Sequence, residues 1–304
     1  MSHVPVLLKE VTEALAIRAG ETYVDATFGR GGYTQAWLAL GAKVIGFDRD
    51  PQAVAEGQKL AAANSNFRII HAPFSQMDQH LAAASVAGVA FDLGVSSPQL
   101  DEAARGFSFR ADGPLDMRMD PTQGHSAADL VNQLPEDELA DLIYTYGEER
   151  ASRRIAKAIV TARTEQPITR TLQLAQIIRA VMPKRPGEID PATRSFQALR
   201  IAVNDELGEI ERGLKAAETI LCPHGRLVVV TFHSLEDRIV KTYLREGAAR
   251  QGNPSRHAPM TPLAPARLTL IGKQPVTPSK AECAANPRAR SAKLRVAEHT
   301  GEAS

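Results

Sequence analysis

The stretch Asp25-Ala26-Thr27-Phe28-Gly29-Arg30-Gly31-Gly32-Tyr33 decides how this 304-residue chain is read. It follows a short apolar run, Thr22 to Ala26, and leads into a helix-like stretch, Tyr33 to Leu40. A glycine-rich turn between strand and helix lets backbone approach a ligand closely, because glycine takes positive φ without a Cβ clash. Taken alone, such a turn is compatible with a tight connection and nothing more. Its context strengthens it. Asp48 closes a second apolar run, Lys43 to Phe47, where a carboxylate accepts bonds from the two hydroxyls of a ribose.

Two cofactors use that geometry, a nicotinamide dinucleotide and S-adenosylmethionine. The dinucleotide fingerprint would need glycine at position 34, which is Thr34 here. A pyrophosphate also wants helix-terminal N–H groups free of nearby negative charge. Asp25 stands just before the loop, a poor neighbour for a pyrophosphate and a good one for a cationic sulfonium amino acid. The balance favours S-adenosylmethionine.

Outward from this loop, Phe67 to His71 and Val86 to Phe91 are further strand-like runs, and Pro51 to Ala63 reads as a helix with proline in its first turn. Such alternation predicts a parallel sheet covered on both faces, with ligands at the carboxyl ends of its strands. After Gly94 a Gly/Asp/Arg/Pro-rich stretch runs from Val95 to Gly124, and helical periodicity then takes over in Ser126–Leu134, Pro135–Gly147, Arg150–Arg163, Leu172–Met182 and Thr193–Val203. A long amphipathic helix, Asn204 to Leu221, precedes strand candidates Gly225–Phe232, Arg267–Ile271 and Lys293–Ala297. The expectation is an α/β domain, Rossmann-like with a mostly parallel seven-stranded sheet, formed by residues 1–105 and 204–304. An all-helical substrate-recognition insert would occupy 106–203.

Bulk properties narrow the classes. Hydrophobic content of 43% with 23% charge is that of an ordinary soluble domain. Cys222 and Cys283 are far apart and build neither a disulfide framework nor a metal pair, which points to a reducing, cytoplasmic compartment. Lys9, Glu10, Glu13 and Arg18 argue against a signal-peptide core, and no apolar run is long enough to span a membrane. The net charge of +1 hides an asymmetry. Arg238 to Arg295 holds twelve Lys/Arg against two Asp/Glu, leaving 24 and 33 elsewhere. Such a segment suits a polyanion, or is a solvated basic stretch.

The fourth strand runs into Asp92-Leu93-Gly94-Val95-Ser96-Ser97-Pro98-Gln99. An exocyclic amine is a weak nucleophile because its lone pair is delocalised into the ring. Oxygen acceptors on its N–H bonds return density to nitrogen and take up the charge that develops. Asp92 with Ser96, Ser97 and the backbone fixed by Pro98 supplies such acceptors; the plainer alternative is an Asx/Ser turn leaving a strand.

The chain resembles the ribosomal RNA small-subunit methyltransferase H family, also called MraW. The resemblance is carried by HVPVLLKEV at His3, DATFGRGGYT at Asp25, FDRDPQA at Phe47, DLGVSSPQLD at Asp92 and RGFSFRADGPLDMRMD at Arg105. It continues with YGEERASRRIAKAIV at Tyr146, ATRSFQALRIAVNDEL at Ala192, FHSLEDRIVK at Phe232 and NPRARSAKLRVAE at Asn286. It implies a class I methyltransferase fold with a helical insertion, S-adenosylmethionine as cofactor, and methylation of the 4-amino group of a decoding-centre cytidine in 16S ribosomal RNA. It implies cofactor contacts at Gly31, Gly32, Tyr33 and Asp48, Phe74 near the adenine, and Asp92 and Gln99 near the amino-acid or methyl end. The family usually has histidine at the position of Tyr33, so a backbone contact there survives and an imidazole role does not.

Candidate RNA contacts are Arg110 and Arg118 in a charged run that would order as a lid, Arg153, Arg154 and Lys157 on one helix, and Arg288, Arg290 and Lys293 in the basic segment, with Arg163 and Arg295 beside them. His233 either touches substrate or caps the following helix. Phe107, Phe109 and Phe196 are candidates for stacking on bases. No His/Cys/Asp/Glu spacing suggests a catalytic metal. The partner would be 16S ribosomal RNA or the small ribosomal subunit, with oligomeric state open, a homodimer included. Two rival readings are a methyltransferase acting on a small molecule or protein, and a non-enzymatic RNA-binding assembly factor.

Overall fold

The computed structural model describes residues 5–182, 187, 189–249 and 265–301. His3 of the first motif and Arg250 and Arg256 of the basic segment lie outside the described residues. The chain forms two compact units, one of Met1–Gly94 with Leu207–Ser304 and one of Val95–Glu206.

The first unit is the expected α/β domain. Its strands are β1 (Thr22–Asp25), β2 (Lys43–Asp48), β3 (Phe67–His71), β4 (Val86–Asp92), β5 (Leu221–Thr231), β6 (Leu268–Leu270) and β7 (Lys293–His299). They make one seven-stranded sheet in the order β3-β2-β1-β4-β5-β7-β6. Strands β1 to β5 pair in parallel, whereas β7 runs antiparallel to both β5 and β6. Strand order reverses between β1 and β4, and at such a switch point the crevice opens beyond the carboxyl ends of the strands. Asp25 pairs with Ala90, so the ends of β1 and β4 are neighbours there.

Burial on both faces explains why the strands read as unbroken apolar runs. Along β5, Leu227 and Val229 join one core cluster with Phe91, Leu214, Ala217 and Val240. Val228 and Val230 join the other, with Val11, Leu15, Tyr23, Trp37 and Val44. The two-residue side-chain period of a strand sorts them so. The structure differs from expectation at β5, which begins at Leu221 rather than Gly225, so the preceding helix, Glu206–Ile220, ends a residue early. Three short helices of this unit, Leu8–Leu15, Met77–His80 and Lys280–Ala285, were not expected.

The second unit is all-helical, with Ala127–Gln133, Glu136–Gly147, Ser152–Glu165, Thr171–Val181 and Ala192–Asn204 around a core that includes Leu139, Ile143, Ile155, Leu174 and Leu199. The charged run expected to act as a lid is woven into this core. Leu115 and Met117 are fully buried in it, and Asn204 Nδ2 donates to Met117 O while its Oδ1 accepts from Met119 N–H, both at 2.8 Å. Arg105 donates to the carbonyls of Arg118 and Met119. The run is thus packed into the helical unit at Leu115 to Met119, while Arg110 and Asp112 are exposed. Phe109 and Phe196 stack edge-to-face at 4.7 Å on this core, and Phe107 is buried. None of the three rings stands out as a stacking platform, because each is taken up in packing.

Candidate active site

Three carboxylates stand at the carboxyl ends of neighbouring parallel strands: Asp25 on β1, Asp48 on β2 and Asp92 on β4. Burial raises the pKa of each: Asp25 and Asp48 to about 6, and Asp92 to about 8. Asp92 is lifted furthest because Asp25 and Glu236 add their charge to the cost of desolvation.

Each carboxylate is held differently. Asp48 Oδ2 accepts the Gly29 N–H at 2.8 Å and Oδ1 accepts the Asp50 N–H at 2.9 Å, which ties the glycine loop to β2. Asp25 Oδ2 accepts from Thr34 Oγ1 at 2.7 Å. The Asp92 backbone N–H donates to Thr27 Oγ1 at 2.7 Å. The outer oxygens are the telling ones. Asp25 Oδ1 and Asp92 Oδ1 are buried without a hydrogen-bond partner among the described residues. Orphaned buried acceptors of this kind are rare and call for an occupant.

The loop between β1 and the helix Gly32–Ala39 has Gly31 at φ +70°, and a Cβ there would sit 2.7 Å from the Phe28 ring. Gly32 has no room either, since a Cβ would come within 2.2 Å of Pro5 Cγ. Tyr33 turns inward. Its ring is buried, stacks on Trp37 at 5.8 Å, and its hydroxyl donates to the Val6 carbonyl. The Tyr33 side chain is therefore a packing group, which leaves only its backbone for a ligand. Phe74 follows β3, half-buried and edge-on to Phe91 at 5.3 Å. In the helical unit, Ser96 caps the helix Ser97–Asp101, with Pro98 in its first turn, and Gln99 is buried with Oε1 accepting the Ser96 N–H at 2.9 Å.

Two residues of this centre, Thr27 and Glu236, were not among the candidates. Thr27 fixes the Asp92 backbone, and fully buried Glu236 charges its surroundings. Glu236 was legible, since an acid three residues after a capping position is a helix-start signal. Its Oε2 accepts the N–H groups of Phe232 and His233, and His233 caps the helix Ser234–Ala248 with Nε2 3.0 Å from Glu236 Oε1. Thr27 gave no signal beyond its place in the loop.

Residues 1–300 match the MraW methylase family. The chain belongs to that family. It is 58% identical over 304 residues to the ribosomal RNA small subunit methyltransferase H of Rhodospirillum centenum, covering 98% of this chain and 92% of that protein. It is 57% identical over 300 residues to the protein of the same name from Caulobacter vibrioides, covering 98% and 96%. Among solved structures, a putative rRNA-methylase from Clostridium thermocellum aligns at a TM-score of 0.45 and 14% identity, covering 98% of this chain and all 100% of that one. The MraW methylase chain has the class I methyltransferase fold, and its cofactor is S-adenosylmethionine. The carboxylates fit that group. Two buried acceptors without partners, Asp25 Oδ1 and Asp92 Oδ1, suit a ligand that carries an ammonium and a sulfonium.

The expected RNA-contact residues divide by their partners. In the helical unit Arg118 is held by Asp116 at 2.7 and 2.8 Å, Arg154 leans on Met182 Sδ, and Arg163 donates to the Val131 carbonyl. Arg110, Arg153 and Lys157 are exposed, with no side-chain partner among the described residues. In the sheet unit Arg288 and Arg290 are exposed and Lys293 lies 3.1 Å from Asp237. Arg295 is buried and ion-paired with Asp237 at 2.8 Å, so its charge is spent inside the fold rather than offered to RNA.

Proposed function

We propose that this MraW methylase transfers a methyl group to the exocyclic 4-amino group of a cytidine in the decoding centre of 16S ribosomal RNA, acting in the cytoplasm on the small ribosomal subunit or its precursor. The observation that carries the reading is Asp92, whose buried Oδ1 has no partner and whose pKa is raised to about 8. Bound S-adenosylmethionine supplies an electrophilic methyl on a sulfonium.

The chain's own residues do the rest. Asp48 and the backbone of Gly31, Gly32 and Tyr33 hold the nucleoside and amino-acid portions, with Phe74 against the adenine and Gln99 toward the amino-acid end. Asp92, ionised by the arrival of a cation, accepts an N–H of the target amine and so returns electron density to nitrogen. Once ionised, the Asp92 carboxylate is also placed to take the proton the amine sheds. Ser96, Ser97 and Pro98 align the amine, and the helical unit recognises the RNA around it.

The relatives named for ribosomal RNA methylation favour RNA over a small molecule or protein as acceptor. The test is transfer of labelled methyl to small subunits from cells lacking this chain, with D92N alongside. Label in 16S RNA with the native chain and none with D92N is expected. Label only in protein or small molecules would overturn the reading.

A further inference from the structure

We infer that a cavity beside the carboxyl end of β5 is a binding site for a backbone phosphate of the RNA substrate, an inference that rests on the RNA reading above. The cavity holds about 400 Å³ and is lined by Phe232, His233 and Ser234 after β5, and by Thr277, Arg290 and Lys293 from the last part of the chain. That volume lies in the range of small-ligand sites and exceeds what a bare phosphate fills, leaving room for the attached ribose.

Its walls are built from three segments. Lys293 opens β7, opposite Thr231 of β5. Val276 bridges to Leu294 through two backbone bonds of 2.8 and 3.0 Å, which sets Thr277 beside the start of β7. A 3-10 turn, Pro287–Ser291, carries Arg290.

The chemistry of the lining is that of an anion site. Arg290 is exposed and has no partner among the described residues. Lys293 shares Asp237 with Arg295, so one carboxylate serves two cations and positive charge is left over. Glu236 Oε2 accepts the backbone N–H groups of Phe232 and His233, and its Oε1 lies 3.0 Å from Nε2 of the lining His233, so this acid faces the imidazole at one wall. The Thr277 hydroxyl adds a donor suited to phosphate oxygens.

Position ties the cavity to the reaction. Asp92 of β4 pairs with Val230 of β5, two residues before Phe232. At Gly94 a Cβ would lie 3.8 Å from both Phe232 Cδ2 and Glu236 Oε1. The cavity therefore opens where the chain leaves β5, next to the strand end that carries Asp92. A phosphate held there is covalently close to the nucleotide presented to Asp92, which fixes its register without reading sequence.

The experiment measures steady-state methylation of unmodified small subunits by the full chain, R290A, R290K and K293A, with cofactor affinity by calorimetry and melting temperature as controls. R290A and K293A should each raise KM for subunits about tenfold with kcat and cofactor affinity unchanged. R290K should recover part of the loss, and the log–log salt slope of RNA binding should fall by about one in R290A. Native-like KM and salt slope in R290A and K293A, while the unsubstituted chain methylates subunits, would overturn the phosphate site alone. Arg290-dependent binding of pyrophosphate with unaltered subunit methylation would assign the cavity to a free anion instead, and overturns it too. Failure of the unsubstituted chain to methylate subunits or naked 16S RNA defeats the underlying reading, and the cavity's assignment with it.

Discussion

Asp48 Oδ2 receives the Gly29 backbone N–H at 2.8 Å, so the carboxylate expected at the ribose also fixes the loop expected at the amino acid. On the proposed reading one residue thereby organises both halves of the cofactor cradle, which makes it the most informative place to cut.

D48A should weaken S-adenosylmethionine binding by about tenfold to a hundredfold for each lost bond to a charged group. Binding of 16S RNA should change far less. Calorimetry on the cofactor, set against filter binding of RNA, checks this; equal affinities in native and D48A protein would remove Asp48 from the ribose.

Cofactor affinity should depend on pH, because the ligand's cation is bound by ionised carboxylates. Asp92 titrates at about 8 and Asp25 at about 6 in the free protein. Affinity should therefore fall as pH drops through that window and level off above it, and binding near pH 7 should release protons. Calorimetry in buffers of different ionisation enthalpy reads that release directly; a flat profile from pH 6 to 9 contradicts it.

The same shifts set a stability cost. Asp25, Asp48 and Asp92 hold protons more tightly folded than at the ordinary carboxylate value of 3.8. The native state thus binds more protons than the unfolded one, and stability falls as pH rises from about 4 to about 8. D92N removes the largest of the three burdens. Its melting temperature without cofactor should exceed that of the native chain at pH 8, with the gap closing toward pH 4, while transfer activity is lost. Equal melting temperatures at pH 8 would count against the raised Asp92.

How far this was legible in the sequence differs by element. The strands that fill the sheet centre, such as β4 and β5, announce themselves because both faces are buried and the residues run apolar without alternation. Asp25, Asp48 and Asp92 were legible as carboxylates ending those strands. The direction of side chains was not. Tyr33 points into the core, and Phe109 and Phe196 pack on each other, because ring orientation is set by packing that no local pattern encodes. The Arg110–Asp120 run reads as a lid from its place directly after the Asp92–Gln99 loop. Its Leu115 and Met117, two apolar residues in a polar string, were the signal that it is anchored.

Asp237 tests the packing of β7. Its carboxylate bonds both Lys293 and Arg295, and D237A takes that carboxylate from the buried Arg295 guanidinium. Breaking a buried pair from one side costs about 3–5 kcal/mol. Denaturant unfolding should show a loss of that order; a loss below about 1 kcal/mol would mean the pair is solvated.

The central claim is tested most directly by nucleoside mass spectrometry. Small subunits from cells lacking this chain would be incubated with it and labelled S-adenosylmethionine, and their 16S RNA then digested and analysed. The account predicts labelled 4-N-methylcytidine from a decoding-centre position. Label on another atom of the nucleoside, or on another base, would contradict it.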